Sequence, residues 1–90
     1  MIRQLAGGEM PGPFRALKID KSVLSYLGNS PPSADIACLN ILFADIARGN
    51  APLQPHPKLL GWYSIAACNH HVVVSVTLNV AVIIDVRPLP

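Results

Sequence analysis

Charge is scarce in this chain of 90 residues. Only 13% are Asp, Glu, Lys or Arg, and the five acidic residues include a single glutamate, Glu9. A reaction centre that needs several converging carboxylates is therefore not expected from this chain alone, and no metal cofactor is expected for it. The seven basic residues lie scattered from Arg3 to Arg87 without a run or stripe, so no nucleic-acid partner is expected either. Cysteine is limited to Cys38 and Cys68, far apart and outside any Cys-x-x-Cys pairing. That usage points to free thiols and a cytoplasmic setting. No apolar run is long enough for a bilayer: residues 72–84 fall short of the roughly 20 needed, and extending back to Leu59 would draw in Asn69, His70 and His71. A membrane span is therefore not expected, and a small membrane-associated protein using residues 59–84 stands only as a third reading, behind a truncated fragment of a larger fold and a non-catalytic interaction or oligomerisation module. The opening residues carry Arg3 but no apolar stretch behind it, unlike a secretory leader.

What is abundant is apolar side chain. At 51% hydrophobic, so short a chain leaves apolar surface that a small monomer hides with difficulty, which favours a homo-oligomer or a protein partner. Glycine and proline divide the sequence into a lead-in over 1–12, a strand-helix segment over 13–50, a connector over 51–58 and an apolar, mainly β segment over 59–90.

Within the second part, residues 14–19 have the apolar density of a short strand covered on both faces, as in a parallel sheet. Asp20 suits the N-cap of a helical turn over 21–27 that Gly28 and Asn29 end. The serines of Ser30-Pro31-Pro32-Ser33 can cap the next element, a helix over 34–48. Ile36, Leu39, Phe43, Ile46 and Ala47 recur there at helical spacing, with Asp35 near its start, Arg48 near its end and Gly49-Asn50 as the stop. Ile41 and Leu42 widen the apolar surface, so burial on more than one side is expected. Beyond the proline-rich connector a short helix over 59–68 is weakly signalled. The β-branched density of 72–86 reads as one or two strands, broken near Leu78-Asn79.

The stretch Pro13-Phe14-Arg15-Ala16-Leu17-Lys18-Ile19-Asp20-Lys21-Ser22 resembles the sixth strand and following turn of EAL domains, the bacterial cyclic-di-GMP phosphodiesterases, whose run is Pro-Phe-x-x-Leu-Lys-Ile-Asp-Arg/Lys-Ser-Phe. Looser agreement continues to Gly49. The resemblance implies an α/β architecture, a β-α fragment of a (β/α)8 barrel with reactive residues at strand ends. It implies that Lys18 lies beside a scissile phosphate, where a point charge would offset developing negative charge. Asp20 matches the family aspartate, although capping accounts for it as well. Intact EAL domains use two Mg²⁺ or Mn²⁺ ions. This chain has no Glu-Ala-Leu, no Asp-Asp-Phe-Gly and no Ala-Glu-Gly-Val-Glu run, so the resemblance implies a truncated relative, inactive alone, that meets cyclic-di-GMP only if the rest of the site is supplied. Val23 stands where the family has phenylalanine.

Zinc ligation by Cys38, Cys68, His56, His70 and His71 has the right donor types but the wrong spacing, since adjacent His70 and His71 would face opposite sides of a strand. A cysteine nucleophile lacks any local signature.

Overall fold

A computed structural model describes residues 16–29 and 31–90. Residues 1–15 and Ser30 lie outside that description, and with them the lead-in, Glu9 and the first three residues of the EAL-like stretch. The described chain is a mixed α/β fold of five strands and two helices: β1 Ala16–Ile19, α1 Lys21–Asn29, α2 Ser33–Arg48, β2 Gln54–Pro55, β3 Trp62–Ala67, β4 His70–Val76 and β5 Val80–Pro88. The strands form one sheet in the order β1-β5-β4-β3-β2. β1 runs parallel to β5, Ala16 facing Val80 and Ile19 facing Ile83, and every other pairing is antiparallel. After α2 the chain does not return beside β1: β2 lies at the opposite edge. The parallel partner of β1 comes instead from the C-terminal end of the sequence.

Both helices pack on one face of this sheet. Val23 of α1 and Leu39, Leu42, Phe43 and Ile46 of α2 meet Val72, Val74, Ala81, Ile83 and Val86 in a single core. An irregularity in β5 makes that set compatible with a period of two. Val73 pairs with Asp85 and Val74 with Ile83, so Ile84 is an extra residue, and Val86 regains the core side after it.

Several expectations are corrected. The helix over 59–68 is replaced by β3: Trp62, Tyr63 and Ile65 pair with Ser75, Val74 and Val72, and an available strand partner outweighs weak local helix preference. The connector contributes the two-residue β2. Pro32, not a serine, occupies the N-cap of α2, without a side-chain hydrogen bond. α2 is buried on one side only, since Ile41 is 66% exposed. β1 is an edge strand whose Ala16 and Lys18 are exposed, so only the side bearing Leu17 and Ile19 is covered. The apolar side of α2 and the β-branched strands pack chiefly against each other.

Gly28 and Asn29 do not stop α1, which continues through both, whereas the expected stop of α2 holds. Gly49 closes α2 at φ 78°, with its amide bonded to Ile46 O and that of Asn50 to Asp45 O, a left-handed cap that glycine adopts without steric cost. β4 and β5 are separate strands joined through Thr77, Leu78 and Asn79. Among the described residues no helix is long and apolar enough to cross a membrane.

Candidate functional site

Lys18 stands exposed on the helix-free side of β1, in register with Val82. Asp20 follows the strand and caps α1. Its Oδ2 accepts from the Ser22 hydroxyl at 2.6 Å and from the Ser22 amide at 3.1 Å, while its own amide donates to Ile83 O at 3.0 Å. The two Ser22 hydrogen bonds favour the ionised carboxylate and hold it below the ordinary value of 3.8. The other aspartates serve local partners. Asp45 bonds Arg48 at 3.2 Å, Asp85 bonds Arg87 at 2.7 Å, and Asp35 accepts from Asn69 Nδ2 at 3.2 Å. Among the described residues, Lys18 is joined by no carboxylate in an ion pair, and no three His, Cys, Asp or Glu side chains form a metal-holding group.

A polar cluster that the sequence did not signal lies where α1, the first turn of α2 and the β3–β4 hairpin meet. Cys38 and Cys68 form a disulfide, which overturns the free-thiol expectation and removes the cysteine argument for a reducing compartment. The hairpin turn is only Cys68-Asn69, both left-handed at φ 58° and 62°, the pattern of a type I′ turn. A non-glycine residue in that region is disfavoured, more so for Cys than for Asn. The bond to α2 helps to hold Cys68 there.

His70, 2% exposed, begins β4 beside this turn. Its Nδ1 lies 2.8 Å from Cys68 O and its Nε2 lies 2.7 Å from the Tyr26 hydroxyl. A carbonyl oxygen can only accept, so Nδ1 carries a proton, and in the neutral ring the Tyr26 hydroxyl donates to Nε2. Asp35 Oδ2 is 3.9 Å from Nδ1. Both ring nitrogens are thus engaged, joining α1 to the hairpin beside the first turn of α2, which suits a buried polar group. Of the proposed zinc set, Cys38, Cys68 and His70 are brought into one neighbourhood. His56 lies in the loop before β3, and His71 is exposed on the other side of the sheet, as the strand alternation required. The one sequence trace of this cluster is the pair of spacings Asp35-x-x-Cys38, on one helix face, and Cys68-x-His70, flanking a turn.

At the far end of the sheet two neighbouring turns carry bare leucines. Leu59-Leu60-Gly61-Trp62 closes with the Trp62 amide donating to Leu59 O at 3.2 Å and Gly61 at φ 83°, where a turn needs glycine. The adjoining β4–β5 turn presents Leu78, and the Val76 amide donates to Gly61 O at 3.0 Å, which fastens the two turns together. Leu60 is 102% exposed, Leu78 70% and Leu59 45%. Comparison with family models, with curated proteins and with solved structures finds no match to this chain.

Proposed function

We propose that this protein is a non-catalytic interaction module whose working surface is the leucine-bearing end of its sheet. The observation that carries the reading is the exposure of Leu59, Leu60 and Leu78 on two turns fastened side by side, whereas the other exposed large apolar residues, Leu24, Ile41 and Leu89, are spread singly over α1, α2 and the end of β5. Exposed leucines grouped on adjoining turns mark an interaction site more readily than apolar residues scattered singly over a surface. The polar side chains fit the same reading, since the aspartates and the buried histidine are each engaged by structural neighbours.

The test compares the chain with Leu60→Asp and Leu78→Asp in gently prepared cell extracts. Because both side chains are open to solvent, the variants should melt within a few degrees of the parent protein. The parent should migrate in a large or sedimenting fraction and the variants at monomer size. Identical migration at monomer size would end the proposal.

A second reading is favoured by one observation: β1 with exposed Lys18 leads directly into an Asp20-capped helix, the local arrangement that the EAL resemblance implies. On that reading the segment descends from a barrel-fragment β-α unit of cyclic-di-GMP phosphodiesterases and is inactive alone. Incubation of the purified chain with cyclic-di-GMP and Mn²⁺ or Mg²⁺ should give no product; turnover that Lys18→Ala abolishes would replace the interaction reading with an enzymatic one.

A further inference from the structure

The shape and charge of the leucine end point to a specific class of partner, and this inference rests on the interaction reading above. We propose that residues 58–62 and 77–79 form a wedge that docks onto an anionic membrane surface, entering the headgroup boundary without spanning it. A groove-binding partner would need a concavity at this end. The leucines instead stand on two turns, and Leu60 is as open as in an extended peptide.

Three features suit a lipid boundary. First, much of the backbone at the tip is already hydrogen-bonded within the protein: the Trp62 amide to Leu59 O, Val76 to Gly61 O and Thr77 to Val80 O. Peptide groups satisfied in this way enter a water-poor layer at lower cost than open ones. Secondly, Lys58 directly precedes the leucines and makes no ion pair among the described residues. Asp35 belongs to the opposite end with His70, Asp85 and Asp45 are neutralised by Arg87 and Arg48, and Asp20 lies at the end of β1 remote from Asn79. The leucine end therefore carries local positive charge that matches anionic headgroups. Thirdly, Trp62 closes the leucine turn, part-buried against the His56 ring at a centroid distance of 6.2 Å. An amphipathic indole at the base of an apolar tip is the arrangement favoured at membrane interfaces. The expected contact is a shallow one, in which leucine side chains supply apolar burial and Lys58 supplies preference for negative lipid.

Co-flotation of the purified 90-residue chain with vesicles tests this. Vesicles of phosphatidylcholine with phosphatidylserine should carry the protein, and vesicles of phosphatidylcholine alone should carry much less. Trp62 emission should shift to the blue on binding. Leu60→Asp, and independently Leu78→Asp, should weaken partitioning by roughly tenfold or more, as expected for losing the burial of one leucine. Lys58→Glu should weaken binding to the anionic vesicles several-fold while leaving the small affinity for neutral ones, because each basic residue near such a surface contributes about a fivefold effect. Absence of flotation with anionic vesicles, or flotation of Leu60→Asp and Leu78→Asp equal to the parent, overturns the proposal. So does a leucine-dependent dimer in sedimentation that excludes vesicle binding, which would assign the surface to a second copy. If vesicles fail but the extract fractionation still depends on Leu60, the lipid assignment falls and the interaction reading stands.

Discussion

Asp20 shows how one side chain can carry a motif and a structural duty together. Its carboxylate takes both the amide and the hydroxyl of Ser22, which accounts for Asp-Lys-Ser after a strand without any catalytic requirement. The same bonds fix a direction for its pH response. The folded-state carboxyl titrates below its ordinary value, so its stabilising contribution is present above that value and disappears as pH falls through the lower, folded one. Urea midpoints measured from about pH 6 down to pH 3 should therefore show a steeper acid decline for the parent than for Asp20→Asn, which can still cap but cannot ionise. Equal slopes would show that the Ser22 bonds do not persist in solution. Tyr26 and His70 could not be read in this way, because the bond between them joins residues 44 apart in sequence.

Among the elements, legibility follows how local the determining interaction is. α2 could be read from its period, its Arg48 end and Gly49, since those signals lie within one segment. The separation of β4 from β5 near Leu78 and the capping of α1 were legible for the same reason. β3 was not, because its residues become a strand through β4 on one side and β2 on the other. The Cys38–Cys68 bond was invisible too, as it joins a helix to a turn across 30 residues. Of the candidate sites, Lys18 and Asp20 were legible as residues at a strand end, whereas the leucine wedge needed the adjacency of two turns that only the sheet order supplies. The bond has a measurable weight. Closing a loop of that length restricts the unfolded chain by about 3–4 kcal/mol in the chain-entropy model, a large part of the stability of a small domain. Reduction with excess dithiol, or the pair Cys38→Ser and Cys68→Ser, should lower the melting temperature by roughly 10 °C or more. A melting curve unchanged by reductant would mean that the two sulfurs are not joined in the folded protein.

At the scale of the whole molecule, the sheet order makes the two halves of the sequence interdependent. α1 and α2 come from the first half, while β4 and β5, which receive them, come from the second. A single shared core predicts a single transition. Far-UV circular dichroism, weighted towards α1 and α2, and emission from Trp62 in β3 should report coincident denaturation midpoints. Separated midpoints would show that the helices and the hairpin sheet are independent units. The apolar abundance of the composition then has several destinations: most of it fills the layer between helices and sheet, Leu24 and Ile41 face outward from the helices, Leu89 lies beyond β5, and Leu59, Leu60 and Leu78 form the proposed wedge.

The pairing of β1 with β5 also sets an order of events during synthesis. Residues 16–19 leave the ribosome early, yet among the described residues their strand partner is residues 80–83, so the helices formed in between have no complete surface to settle on until β5 has been made. Val23, Leu39, Phe43 and Ile46 stay uncovered through that interval. Folding is thus postponed to the release of β5, and a ribosome that stalls before Val80 leaves a product with an unfinished sheet and an open core, a substrate for chaperones and proteases.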